Sequence, residues 1–340
     1  MLGETSGGTE GLFKIDTSGT IELVASEGGI APGSGGATLF AILEADLNSA
    51  GVIAYSASLD FGSSQFSTAI YRIDAMGSQT TLAVGNPTGV QPTSHVFVTA
   101  AGEVVYPVGQ VDPMSMFGLV LAEEYLSFSG AGPATQRVAL ADPIPGTGLT
   151  ITSLDSEGPQ FIQLRDRKIT AAGDLVLSTT LSSGSDAMVI EEANGDLSIR
   201  LTDGDALPPP ASGTITSFSG PNMNAALDVA VILNFSKLAL YRAGEPAEVL
   251  VESGDSIAGF PGIQFVGFGA SITARKFNLA TAAIDDAGNI AFPGLTDSSA
   301  EGLFLVRAPA STPALPAPAW AACAALITLA AALRTRGVRS

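Results

Sequence analysis

The sequence predicts an all-β repeat protein. The expected form is propeller-like, with five to six four-stranded units and a C-terminal hydrophobic helix. Three observations carry this. One short segment recurs five times. Each copy is followed by brief apolar runs separated by hairpin signals. The composition is dense in turn formers, with 39 Gly and 20 Pro in 340 residues, and no helical period stands out before residue 311. A segment repeated at this spacing marks an array of similar small units.

The first copy reads Leu47-Asn48-Ser49-Ala50-Gly51-Val52-Ile53-Ala54-Tyr55. The others start at Val98, Ile169, Met223 and Ile284. A type I turn favours Asn, Asp or Ser at its first position and Gly at its fourth. Asn48 with Gly51 and Asp285 with Gly288 fit this spacing, and Thr99 with Gly102 and Thr170 with Gly173 fit it more weakly. In the fourth copy Asn224 is followed by Leu227 where Gly is expected, so that turn is either rebuilt or strained. Alternating apolar residues after each turn predict a strand.

A second strand follows, as in Gly11-Leu12-Phe13-Lys14-Ile15, Ala69-Ile70-Tyr71-Arg72-Ile73 and Gly302-Leu303-Phe304-Leu305-Val306. A third follows across turns such as Thr17-Ser18-Gly19 and Asn194-Gly195-Asp196. Next comes an acidic Gly- and Pro-rich loop, then a fourth apolar stretch such as residues 37–42 that leads to the next copy. Four short strands per unit is the content of a propeller blade. The fourth turn positions lie at 51, 102, 173, 227 and 288. The longest step carries Glu123 to Pro133, which reads as a loop excursion.

The chain opens in mid-unit, since Gly11-Leu12-Phe13 matches Gly302-Leu303-Phe304. Either two half-units complete one ring of five, or an upstream portion is missing; the second is favoured. The expected organisation is a β-repeat domain over 1–310, truncated at its N-terminus, a Pro-rich linker over 311–318, a transmembrane helix over 319–333 and a basic cytoplasmic end over 334–340.

Acidic residues number 33 against 15 basic ones, and three of the basic ones, Arg334, Arg336 and Arg339, lie in the tail. The rest therefore has 12 basic residues against 33 acidic, a formal charge of −21. Nucleic acid is excluded as an expected partner, because phosphate contacts need clustered Lys and Arg. Cys323 is the sole cysteine, so neither a disulfide nor a Cys-based metal site is expected.

From Ser311 the chain reads Ser-Thr-Pro-Ala-Leu-Pro-Ala-Pro, a stiff spacer containing Pro313, Pro316 and Pro318. Residues 319–333 are uncharged, with Trp320 at one border and the arginines at the other. Fifteen residues of helix span about 22 Å, short of a hydrocarbon core of roughly 30 Å. An aromatic at one border and arginines at the other still fit a membrane anchor with a cytoplasmic end.

This three-part ending resembles the C-terminal sorting signals of bacterial exported proteins handled by exosortase-type enzymes. Their best-known form carries Pro-Glu-Pro, where this chain has Pro-Ala-Leu-Pro-Ala-Pro. The repeats resemble those of bacterial surface proteins with a tandem Asn-x-x-Gly-x-x-Ala-Phe motif and varied ("choice-of-anchor") endings. The fifth copy ends in Ala291-Phe292 and the first in Ala54-Tyr55, while three are looser. The resemblance implies export, surface location and a sorting or processing enzyme of the cell envelope as partner. It implies no established activity.

Candidate chemistry is sparse. His95 is the only histidine, and without a G-x-S-x-G elbow it reads as structural. Paired acids could cleave glycosides at a suitable separation, with Asp203, Asp205, Asp255, Asp285 and Asp286 as candidates. The same acids are good turn formers. Calcium prefers several oxygen ligands, and Asp203, Asp205, Asp285, Asp286 and Asn289 form loosely calcium-like groups without EF-hand spacing. No other cofactor is expected.

The leading expectation is a noncatalytic exported surface protein whose loops face a matrix, a glycan or another protein. The alternatives are an extracellular carbohydrate-active hydrolase or lyase using loop carboxylates, and a membrane protein that keeps its tail helix.

Overall fold

A computed structural model describes residues 2–4, 7–16, 18–62, 66–111, 120–154, 169–258, 261–267, 282–297 and 301–307. These contain 25 strands in six antiparallel sheets. The first sheet has Leu2–Glu4, Glu10–Ile15 and Ile21–Ser26. The second runs, in chain order, through Thr38–Leu47, Ile53–Asp60, Phe66–Ile73 and Gln79–Val84. The fifth repeats that order with Phe218–Met223, Val229–Leu233, Lys237–Tyr241 and Glu248–Glu252.

The third and fourth sheets have five strands rather than the expected four. In the third the first position is split into Val90–Pro92 and Phe97–Val98, both paired with Val104–Val111, before Val120–Phe128 and Thr135–Ala139. The fourth gains Pro143–Ile144 ahead of Leu149–Leu154, Leu175–Leu181, Asp186–Glu191 and Leu197–Thr202. The sixth comprises Phe265–Gly267, Ala283–Ile284, Ile290–Thr296 and Glu301–Val306. Consecutive meander sheets stacked face to face are the architecture of propeller blades.

Five cores lie between the six sheets, and strand alternation assigns residues to them. In the second sheet, Tyr55, Ala57, Leu59 and Tyr71 face the first sheet, while Ala54 and Ile70 face the third. In the fifth, Val229, Val231 and Leu233 face the fourth sheet, and Ala230 and Ile232 face the sixth. The strand after each of the first four repeat turns is therefore buried on both faces, so its side chains alternate between two neighbours rather than between core and water. Fully burying one such aliphatic side chain contributes about 1.5–3 kcal/mol.

The repeat turns have one geometry. The amide of the fourth residue donates to the carbonyl of the first in all five copies, at 2.9–3.1 Å. The side chain of the first residue accepts the amide four residues on: Val52 to Asn48, Glu103 to Thr99, Asp174 to Thr170, Asp228 to Asn224 and Asn289 to Asp285. The fourth residue is left-handed throughout, with φ of 83°, 80°, 103°, 63° and 80°. Leu227 adopts this conformation too, so the fourth turn is not rebuilt and carries a strain of about 1–2 kcal/mol. Its half-buried side chain packs against the core between the fourth and fifth sheets.

Successive turns are tied together. Asn48 Nδ2 donates to the Thr99 carbonyl at 2.9 Å, and Asn224 Nδ2 to the Asp285 carbonyl at 3.3 Å. Threonine has no amide, and the second turn reaches the third through its backbone, Ala100 N–H to the Ala171 carbonyl at 2.9 Å.

The acidic loops also repeat. Gly28, Gly204 and Gly254 donate to the carbonyls of Leu39, Ile215 and Phe265, each at 2.7 Å. Each of these bonds returns the chain from the last strand of one unit to the first strand of the next.

One expectation needs correction. Glu123 to Pro133 is not a loop excursion, because residues 123–128 lie in the strand Val120–Phe128. That strand alternates on either side of a bulge at Glu123, with Val120 and Ala122 buried before it and Tyr125 and Ser127 after it. Its charged pair Glu123-Glu124 hides the period in the sequence. The tail residues Pro313, Pro316, Pro318, Trp320, Arg334, Arg336 and Arg339 lie outside the described residues. Among the described residues no helix is long and apolar enough to cross a membrane.

Gly102→Ala places a Cβ at φ 80°, 3.3 Å from Val52 Cγ2. We expect this variant to lose about 1–2 kcal/mol in a denaturant melt; an unchanged midpoint would show that the turn has another route.

Candidate functional site

A cleft of about 420 Å³ lies where three units converge. The end of Thr38–Leu47 supplies Glu44 and Asp46, and the first repeat turn supplies Asn48 and Ser49. The third unit contributes Val96 and Val98, and the third repeat turn closes the far side.

A polar seam between the second and third sheets adjoins the cleft and reaches it at Glu44, Asp46 and Val98. Ser56 Oγ donates to the Ser94 carbonyl. Ser67 Oγ and the Thr68 amide donate to Gln91 Oε1 at 3.0 and 3.1 Å. Glu44 Oε2 lies 2.9 Å from His95 Nδ1, and both side chains are largely buried. Asp46 Oδ2 accepts the Val98 amide at 2.7 Å, and its Oδ1 accepts the Leu47 amide at 2.9 Å. The seam exists because the third unit's first strand is interrupted at residues 93–96, which frees backbone and side-chain groups to bond sideways. Chemically, the cleft offers one largely buried carboxylate paired to an imidazole and an exposed Ser49 at its border.

The acids flagged in the sequence do not converge here. Asp205 Oδ2 accepts the Thr202 amide and Asp255 Oδ2 the Glu252 amide, both at 2.7 Å. Asp285 accepts the amides of Ala287 and Asn289 and the Asn289 side chain. These bonds, the Asn289 side chain first, hold its carboxyl below the usual carboxylate range. Asp286 Oδ1 accepts the Ala225 amide at 3.1 Å and so ties the fifth turn to the fourth. The calcium candidates therefore sit in two separate units and do not converge on one point. Among the described residues no group of three or more His, Cys, Asp or Glu could hold a metal.

Asp203 alone among these acids lines a cavity. It borders a second cleft of about 390 Å³ between the fourth and fifth sheets, rich in Ser and Thr hydroxyls. Its Oδ1 and Ser219 Oγ are shielded from solvent and have no hydrogen-bond partner among the described residues.

Glu44 and Asp46 were not singled out by sequence. The available signal was two carboxylates two residues apart in an otherwise apolar run, which a strand places on one face. The partner of Glu44 lies 51 residues away, and no local pattern announces it.

A second buried polar cluster joins the third and fourth units. Arg137 holds Glu191 with one hydrogen bond, Nε to Oε1 at 3.1 Å, and an ion-pair contact of Nη2 with Oε2 at 2.7 Å. Burial pushes the Glu191 carboxyl up to about 7, against the pull of Arg137 and with help from Asp174 and Glu103.

Residues 2–93 match the model of a family of unknown function, DUF7453. No curated protein matches. Among solved structures, a puromycin hydrolase mutant complexed with PGG is 11% identical over 90% of this chain, with a TM-score of 0.48. This chain spans 41% of the length of that hydrolase. AofleA from Arthrobotrys oligospora is 12% identical, with 90% of this chain and 78% of that one covered and a TM-score of 0.36. The Aleuria aurantia lectin AAL, as a mutant in complex with Fucalpha1-6GlcNAc, is 12% identical over 92% of this chain and 95% of the lectin, with a TM-score of 0.31.

Between pH 4.5 and 7 the folded chain holds a proton on Glu191 that the unfolded chain has released. This contribution is complete below pH 4.5 and is lost as the pH rises through about 7. The stability difference between wild type and Glu191→Gln should therefore shift against the wild type from pH 5 to pH 8. Parallel melting profiles over that range would contradict it.

Proposed function

We propose that this is a noncatalytic, exported, surface-anchored binding protein, with the cleft at Glu44, Asp46 and Ser49 taking a saccharide unit of a glycan. The observation that carries the reading is how the carboxylates are used. Asp46, Asp205 and Asp285 are committed to backbone amides, whereas Glu44 faces the cleft with its Oε2 on His95. A sugar presents hydroxyl donors that suit a buried carboxylate. Export and anchoring rest on the Pro-rich spacer, the apolar segment and the arginines of the tail.

A second reading rests on one pair. Glu44 with His95 is a carboxylate–imidazole couple beside a cleft, the kind of group that moves protons in a hydrolase or lyase. Turnover of a polysaccharide that disappears in Glu44→Gln, with an unchanged melt, would favour this enzyme over the binding protein.

Ser49 is exposed at the border of the cleft, so Ser49→Trp fills it without disturbing the core. On an immobilised glycan panel the wild type should retain at least one saccharide and Ser49→Trp should lose it by roughly tenfold or more. Equal retention would remove the cleft from the account. Mass spectrometry of fractionated cells should find a mature chain ending between Pro313 and Pro318 at the surface or in the medium. An intact Ser340 in the inner membrane would instead make the tail a permanent anchor.

A further inference from the structure

The cleft of about 390 Å³ between the fourth and fifth sheets is bordered by one row of polar residues. Strand register places Ser153 opposite Thr180, and Thr180 opposite Asp186. Thr202 pairs with Ala187, and the Asp203 amide donates to the Asp186 carbonyl at 2.9 Å, so Asp203 continues the row. Residues directly opposed across strands share a face. Two residues along from Asp186 and Asp203, Met188 and Leu201 pack on the fifth sheet from this same face. The row is thus the polar end of an otherwise apolar interface.

Hydrogen bonds run along the row in one direction. Ser153 Oγ donates to Thr180 Oγ1 at 3.1 Å, and Thr180 Oγ1 donates to Asp186 Oδ1 at 3.0 Å. The relay stops there. Asp203 Oδ1, the next acceptor, is shielded from solvent and has no partner among the described residues. The interface between the second and third sheets shows how the chain closes such a gap. Counted from the repeat turn, Ser178 stands where Ser56 stands in the second sheet, and Ser56 Oγ donates to the Ser94 carbonyl. Ser178 instead lines the cleft. On the fifth-sheet side the first strand is bulged between Ser219 and Asn222, and Gly220 and Pro221 of that bulge border the cavity. Proline has no amide to offer a carboxylate.

The missing partner must be a donor, because an ionised carboxylate only accepts. Asp186 and Asp203 are the charged residues of the lining, and no Lys, Arg or His joins them. A water molecule would supply the bond and leave the shielded charge of Asp203 uncompensated. A cationic N–H donor supplies both, and charge-assisted bonds of this kind are the strong ones. Phe218 packs on the fourth-sheet side and borders the same cavity, and an aromatic ring also favours a cation. The volume is many times the roughly 30 Å³ of one water, so the cation can carry an organic frame.

We propose that this cleft binds the primary ammonium group of a small organic cation, with Asp203 Oδ1 as its main acceptor and Asp186 as the second charge. The site is separate from the cleft at Glu44, and the inference is independent of the glycan reading.

The test is titration calorimetry of the full chain with putrescine, a short linear diamine, and with the uncharged butanediol of the same length. Putrescine should give saturable binding and the diol none. Asp203→Asn keeps the shape of the side chain and should weaken putrescine binding by roughly tenfold or more. Asp186→Asn should weaken it in the same direction and carries the test if the first variant fails to fold. Asp205→Asn removes a nearby charge whose carboxylate serves the Thr202 amide and should leave the affinity unchanged. Without ligand, Asp203→Asn should melt no lower than the wild type, since it removes a shielded charge that has no partner. Equal binding of the diol, no saturation with putrescine, or wild-type affinity in Asp203→Asn would overturn the proposal. An equal loss in Asp205→Asn would overturn it too, because attraction to the net charge of −18 would then be the cause.

Discussion

The structure depends on the bond from the first side chain of each repeat turn to the amide four residues on. That bond fixes a five-residue turn whose fourth position must be left-handed, and in the first four copies it delivers the chain into a strand buried on both faces. An oxygen at the first position and a residue tolerant of positive φ at the fourth are therefore the minimum requirement. Asparagine adds an amide donor, and in the first and fourth copies that donor bonds the carbonyl of the first residue in a neighbouring turn. The turns thus carry interactions along the row of sheets as well as within each unit. Arg72 and Arg137 extend the same pattern, reaching from one unit to Gly102 and to Glu191 in the next.

The cleft is a by-product of one departure from this regularity. A continuous first strand in the third unit would pair along its length and leave no groups to turn sideways. Its interruption at residues 93–96 lets Ser94, His95 and Gln91 bond across to the second sheet. Burying a carboxylate there would be costly without a partner, and His95 supplies one. The result is a polar seam in an otherwise apolar interface, with Glu44 at its open end.

Much of the architecture was legible in the sequence. Asn48 with Gly51, and the equivalents in the other copies, announced the turns through local hydrogen bonding and φ, both of which are short-range. Leu227 was legible as an anomaly, and the structure resolves it as a strained turn of the same kind. A strand was legible at residues 118–121, but its continuation to Phe128 was missed because Glu123 and Glu124 interrupt the alternation that marks a strand. The candidate site was scarcely legible. Its central pair joins residues 44 and 95, and their proximity follows from sheet packing. Conversely, Asp205, Asp255 and Asp285 looked available because a sequence does not reveal which amides their carboxylates accept.

Hydrogen–deuterium exchange at Val52, Glu103, Asp174, Asp228 and Asn289 tests the central constraint most directly. Each amide donates to the first side chain of its own repeat turn. If those bonds organise the fold, the five amides should exchange as slowly as those of the buried strand Val229–Leu233. Exchange at the rate of unprotected loop amides, with the strands still protected, would contradict the account and leave the sheet cores as the sole determinant.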